Sequence, residues 1–228
     1  QTPSLQHLAG TDELGRDIFS RILYGGRVSL TIGIISVGIG LIFGGSLGVI
    51  AAYYGGVTET VIMRVIDVLM AIPSIILSIS ICAALGSGIV NTMIAVGISS
   101  IPTYARVFRS SVISEKSKEY IEAARAVGAG NARIILKHIL PNSIAPVIVQ
   151  ASLGVAQAIT TAASLSFIGL GIQPPNPEWG ALLSSGRQYI RDFPHMVVYP
   201  GIAIMLTVLA LNLIGDGLRD ALDPRLKR

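Results

Sequence analysis

The sequence predicts an all-helical protein that crosses a membrane several times. Residues 28–54 and 68–105 contain no Asp, Glu, Lys or Arg, and each stretch exceeds the roughly 20 apolar residues that a spanning helix needs. Only 13% of the residues are charged, against about 25% in a soluble domain, which excludes a solvated globule. Both stretches contain Gly or Pro and lack the strict alternation of barrel strands, so helices are favoured.

Charged residues and Gly or Pro breaks divide the chain into five predicted spans, which are 28–54, 61–85, 89–107, 144–170 and 196–215. The long uncharged stretch exceeds the length of one crossing helix, so a break is predicted at Gly86-Ser87-Gly88. Residues 1–27 precede the first span. Within them, Leu14, Ile18 and Ile22 recur at helical spacing and predict an amphipathic helix over 14–24 on the outer membrane surface.

The distribution of positive charge predicts the orientation of residues 28–215, the membrane domain. Twelve of the 17 Lys and Arg residues fall in one group of connecting segments, namely Arg64, Arg106, Arg109, Lys116, Lys118, Arg125, Arg133, Lys137, Arg219, Arg225, Lys227 and Arg228. Because Lys and Arg concentrate on the cytoplasmic side, we expect loop 105–143 and tail 216–228 to be cytoplasmic. The N-terminus and loop 171–195 are then extracytoplasmic.

The sequence offers little chemistry of its own. Cys82 is the single cysteine, so neither an intrachain disulfide nor a cysteine metal site is expected. The three histidines lie in separate loops, and no shared metal site is predicted. There is no Gly-Lys dipeptide, so this chain has no P-loop for ATP. The spans also lack a Ser/His or paired-carboxylate constellation, so no catalytic residues are predicted.

Helix packing and ion pairing are predicted on the first two spans. Gly40, Gly44 and Gly48 form a ridge without side chains, which allows another helix to approach closely. Arg64 and Asp67 lie three residues apart on one helix face. They are interpreted as an intrahelical pair in preference to an intramembrane functional carboxylate.

Four polar residues form a narrow stripe on the fourth span: Gln150, Gln157, Thr161 and Ser164. Such a stripe either lines a translocation path or bonds to a neighbouring helix, and the two glutamines favour the path. In loop 171–195, Trp179 and Tyr189 leave two alternatives open. They touch an external partner, or they anchor the loop at the membrane interface.

The longest cytoplasmic loop contains the stretch KEYIEAARAVGAGNARIILKHILPN, which predicts two short helices joined by a glycine turn. This pattern is typical of a docking surface, although a simple connector fits equally well. Glu122-Ala123-Ala124, Gly128 and Leu140-Pro141 resemble the EAA loop of permease subunits of bacterial ATP-binding-cassette (ABC) importers. The family has an aliphatic residue where this sequence has His138, and HILPN resembles its peptide and nickel permease branch.

Three further stretches resemble the same branch, so the resemblance covers most of the chain: GTDELGRDIFSRILYGGRVSL, RVIDVLMAIPSIIL and SFIGLGIQPPNPEWGALL. The resemblance implies the type I permease fold and a plasma-membrane location. It further implies that Glu122, Ala123, Ala124, Gly128 and Ala129 dock into an ATPase subunit. Longer family members carry one more span ahead of the first stretch, so we expect this sequence to be a fragment.

The resemblance also implies the partners and the cargo. A second permease would enclose the path with this chain, two ATPase subunits would bind ATP and Mg²⁺, and an extracytoplasmic solute-binding protein would deliver dipeptides, oligopeptides or nickel. No cofactor is expected in this chain, and no nucleic acid is an expected partner. The alternative is an ATP-independent carrier or channel, for which Asp67 is the one acidic residue well inside a predicted span.

Overall fold

The computed structural model describes residues 1–222, most of which lie in helices, as the sequence predicts. The remainder of the predicted tail, including Arg225, Lys227 and Arg228, lies outside the described residues. Besides a short 3-10 helix at Arg187–Tyr189, eight helices are present within 1–222: α1 Ile18–Tyr54, α2 Gly56–Met70, α3 Ser74–Leu85, α4 Ile89–Lys116, α5 Glu119–Ala126, α6 Asn131–Phe167, α7 Trp179–Gly186 and α8 His195–Leu222.

Three of the described helices, α1, α6 and α8, are long and apolar enough to cross a membrane. The count becomes four if α2 and α3, which bend by 85° at Pro73, form one broken span. The third predicted span, 89–107, lies in α4, which is less apolar and is not among these helices. Since α4 packs against α1, α3 and α6, part of its surface meets protein, where polar side chains are tolerated.

The start of α1 corrects the predicted surface helix. One continuous helix begins at Ile18, so 14–24 is not a separate amphipathic helix. The Asp17 carboxylate accepts a hydrogen bond from the Ser20 backbone N–H at 2.7 Å. This bond caps the helix and lowers the pKa of Asp17 below its usual value. Leu14 is 69% exposed whereas Ile18 is 2% exposed, so the predicted apolar stripe does not form one face.

The glycine ridge of α1 faces α4. A Cβ at Gly40, Gly44 or Gly48 would collide with α4, where Ser100 and the carbonyl oxygens of Ile101 and Ala105 are the nearest groups. Residues Gly40–Gly44 form a π-helical turn inside α1. The two helix axes therefore approach closely along the ridge.

We predict that Gly44→Ala lowers the thermal unfolding midpoint of the purified protein in detergent, because the new methyl group meets the backbone of α4. Gly38→Ala is the matched control, since a Cβ at Gly38 would point into open space. Replacing a helical Gly by Ala is intrinsically favourable by about 1 kcal/mol, so the control should unfold at the same or a higher temperature. Equal midpoints for the two variants would contradict this packing.

Candidate docking loop and polar cavity

Helix α5 carries three of the five predicted docking residues, Glu122, Ala123 and Ala124. Glu122 and Ala123 are exposed, whereas Ile121 is fully buried in a cluster that includes Ile134. Ala124 is half-buried against the same cluster. The helix is therefore held by its apolar side and presents a charged, small-residue side to its surroundings.

Gly128 ends this helix with a backbone reversal. Its φ is +82°, a conformation that residues with a Cβ rarely adopt. The Gly128 N–H donates to the Arg125 carbonyl at 2.9 Å, and the Ala129 N–H donates to the Ala124 carbonyl at 3.0 Å. Ala129 then packs against the buried cluster of α5. The glycine turn predicted from the sequence is thus required by the backbone, while a Cβ at Gly128 would have free space.

The start of α5 is fixed by a buried carboxylate at the end of α4. Glu115 is 9% exposed and accepts hydrogen bonds from Lys118 Nζ at 2.5 Å and from the Tyr120 hydroxyl at 2.7 Å. Burial, together with this bond to a carboxylate, raises the pKa of Tyr120 to about 12. Both ends of α5 are therefore attached to the rest of the fold at defined points.

Three of the four stripe residues line a partly open cavity of about 360 Å³. Besides α6, which carries Gln150, Gln157 and Thr161, the helices α1, α3, α4 and α8 contribute to the lining, and every residue that lines the cavity within 1–222 is uncharged. The other polar residues of the lining are Ser74, Ser99, Ser100, Thr103, Tyr104 and Asn212. Ser164 lies outside this cavity, in a separate groove with Phe167 and Leu183.

The four stripe residues also differ in whether their side chains form hydrogen bonds. Thr161 and Ser164 donate to carbonyl groups of their own helix, at 2.9 and 2.8 Å. Among the described residues, the side chains of Gln150 and Gln157 have no such partner. Their amide groups are therefore the ones available to solvent or to a ligand in the cavity.

The Tyr104 hydroxyl is a feature of this cavity that the sequence pattern does not predict. Its side chain is 1% exposed, and within residues 1–222 its hydroxyl has no hydrogen-bond partner. The hydroxyl lies where a Cβ at Gly154 would be. A single tyrosine in an apolar span does not form a periodic pattern from which its position could be predicted. Its place opposite Gly154 is known only from the packing of α4 against α6.

Charged residues of α2 and α4 form a second polar region, and they correct the predicted pair. Asp67 binds Arg106 of α4, with an Oδ1–Nη2 distance of 2.7 Å, rather than Arg64 of its own helix. Glu59 likewise binds Arg109. The reason is that α4 runs beside α2 and brings its arginines to the carboxylates, which sequence spacing within one helix does not reveal.

The structure of loop 171–195 corrects the interpretation of Trp179. Trp179 is 5% exposed and its indole N–H donates to the Ile22 carbonyl at 2.9 Å, so it is neither an external contact nor an interfacial anchor. Gly25 and Gly26 make room for this segment, because a Cβ at either would meet Pro177 or Trp179. The neighbouring Glu178 is fully buried and caps α7 through the Ala181 N–H.

No group of three or more His, Cys, Asp or Glu side chains within residues 1–222 is arranged to hold a metal ion. Cys82, which lies in α3, is buried. Within the described residues, the two candidate functional regions are therefore the loop around α5 and the uncharged cavity beside α6.

Known proteins that resemble this chain are transport permeases. The chain is 54% identical to the dipeptide transport system permease protein DppC of Alkalihalophilus pseudofirmus, covering 100% of this chain and 75% of that protein. It is 52% identical to the glutathione transport system permease protein GsiD of Pectobacterium atrosepticum, over 99% and 75% of the two chains. A di/tripeptide permease of Pseudomonas aeruginosa is 50% identical, over 96% and 73%.

The fold resembles solved ABC transporters. A chain of the MetNI methionine ABC transporter in an inward-facing conformation matches with a TM-score of 0.73 and 18% identity, over 90% of this chain and 98% of that one. Residues 44–228 match the family described as binding-protein-dependent transport system inner membrane component. Because this match covers most of the sequence and the relatives align along nearly all of it, the chain belongs to that family, the permeases of ABC importers.

Proposed function

We propose that this permease pairs with a second, homologous permease and that the two enclose a path for peptides. The relatives support peptide cargo, since their names specify dipeptide, di/tripeptide and glutathione transport. The cavity beside Gln150, Gln157 and Thr161 supports it chemically. Amide and hydroxyl groups form hydrogen bonds with peptide groups, and an uncharged lining does not select one side-chain charge.

The observation that carries this proposal is the continuity between the docking loop and the cavity. Helix α6 begins at Asn131, directly after the turn at Gly128, and runs to Phe167. Its N-terminal end is packed against α5 through Ile134 and Ile121. A displacement of α5 by a docked partner therefore reaches Gln150 and Gln157 through one helix.

The energy is proposed to come from two cytoplasmic ATPase subunits, which bind and hydrolyse ATP with Mg²⁺. This chain contributes the exposed side of α5, where Ala123 keeps the profile small and Glu122 provides a charge. Coupling requires that α5 bind differently to the open and the closed ATPase pair, because only differential binding shifts a conformational equilibrium. An extracytoplasmic solute-binding protein is proposed to deliver the cargo.

The proposed orientation places α5 and the C-terminus in the cytoplasm. Arg125, Arg133 and Lys137, in and just after α5, support it, because such charges favour the cytoplasmic side. An ATP-independent carrier has less support. The acidic group available to it, Asp67, is engaged by Arg106.

Replacing Gln157 by Leu tests the path. The two side chains have similar size, so the complex should assemble normally, whereas uptake of a dipeptide or of glutathione into reconstituted vesicles should fall at least about threefold. Ser164→Ala is the control, because Ser164 lies outside the cavity, and it should transport like the wild type. Loss of assembly in Gln157→Leu, or equal impairment of both variants, would contradict the assignment.

Reversing the charge of Glu122 or straining Gly128 tests the docking loop. Glu122→Lys or Gly128→Val should leave pairing with the second permease intact and reduce ATPase docking or cargo-stimulated ATP hydrolysis. A side chain at positive φ costs about 1–2 kcal/mol, so Gly128→Val should distort the turn. Gly130 has φ −68° and free space for a Cβ, so Gly130→Val is the matched control.

The measurements are the amount of ATPase subunit retained in mild detergent and the cargo-stimulated ATP hydrolysis in vesicles. Wild-type values for Glu122→Lys and Gly128→Val in both would mean that 117–130 is only a connector. In that case the proposed coupling through this loop would be wrong.

A further inference from the structure

Tyr53, near the C-terminal end of α1, contacts the start of α6. Its side chain is 6% exposed and lies in the same buried cluster as Ile121 and Ile134. Its hydroxyl donates to Asn131 Oδ1 at 2.8 Å. Asn131 is the first residue of α6. One hydrogen bond thus joins the end of the first long helix to the beginning of the helix that lines the cavity.

Two cations attach Tyr53 to α4 and α5. Lys116, the last residue of α4, donates from Nζ to the carbonyl oxygens of Ala52 at 3.1 Å and of Tyr53 at 2.6 Å. These are free carbonyl groups at the C-terminal end of α1, where a positive charge is favourable. The guanidinium of Arg125, on α5, lies 5.7 Å from the centre of the Tyr53 ring, within the range of a cation–π interaction.

Four helices therefore meet at one residue. Among them, α5 is the proposed docking helix, while α1 and α6 both reach the cavity, through Val37 and Gln157 respectively. We propose that Tyr53 is a positioning residue that transmits movement of α5 to the two cavity helices together. This inference rests on the proposed function, because it assigns a role within the same coupling step.

The hydroxyl and the ring of Tyr53 have separable roles. Phenylalanine at this position keeps the buried ring and its contact with Arg125, and it removes only the bond to Asn131. Asn131 is exposed, so water replaces the lost donor and no buried group is left unpaired. Tyr53→Phe should therefore fold and assemble, while the joint between α1 and α6 is loosened.

The neighbouring Tyr54 supplies a matched control. It is 58% exposed and packs edge-to-face on Tyr53, with ring centres 5.3 Å apart. Tyr54→Phe removes a hydroxyl one residue further along the same helix end. It changes none of the bonds that join α1 to α6, so it should behave like the wild type.

The test uses the complete complex in vesicles and measures cargo taken up per ATP hydrolysed. The cargo is whichever of a dipeptide, a tripeptide and glutathione the wild type takes up. Tyr53→Phe should lower this ratio at least about threefold, with unchanged ATPase subunit content. Asn131→Leu should lower the ratio by a similar factor, because it removes the acceptor of the same bond. Asn131→Asp keeps an acceptor oxygen, so its ratio should stay near that of the wild type.

The double variant Tyr53→Phe/Asn131→Leu should be no worse than either single variant, because both remove the same bond. A wild-type ratio in Tyr53→Phe would overturn the inference. So would a parallel loss of uptake and hydrolysis at constant ratio, since that is the result of fewer assembled complexes. If the wild-type complex itself retains no ATPase subunit and takes up none of the three cargoes, the proposed function fails and this inference with it.

Discussion

The continuity of α6 is the constraint on which the functional account depends. The helix runs from Asn131 beside the docking loop to Phe167, although it contains Pro141 and Pro146, which interrupt regular hydrogen bonding. A π-helical turn at Ile134–Ile139 lies directly ahead of Pro141 and accommodates its ring without ending the helix. The chain therefore passes from the docking loop to the cavity within one helix.

In the proposed mechanism, close packing also makes the other helices move with α6. Glycines on α1 bring it against α4, and Tyr53 joins α1 to both α5 and α6. Tightly packed interfaces have few alternative arrangements, so a change at one end of such an assembly is carried to the other end. In the proposed mechanism, this property replaces any covalent chemistry in the permease itself.

Sequence patterns predicted the features that depend on one continuous segment of the chain. They did not predict contacts between residues of helices that are distant in sequence. The all-helical fold follows from uncharged stretches, and the turn at Gly128 follows from glycine spacing in a helical region. The partner of Asp67 and the burial of Trp179 depend on helices distant in sequence. Ser164 shares the helical stripe of Gln157 but not its cavity, because it lies in a separate groove that residues of α7 and α8 help to line. The roles of the predicted docking and path residues remain predictions.

Cross-linking from α5 tests the central claim most directly. Ala126 is exposed at the end of α5, and Cys82, the single native cysteine, is removed by Cys82→Ser. In that background, Ala126→Cys should form a cross-link to an ATPase subunit through a short bifunctional reagent, and its yield should change when ATP is added. Val90→Cys, at the exposed start of α4, should form none. A cross-link from position 90 and none from position 126 would contradict the account.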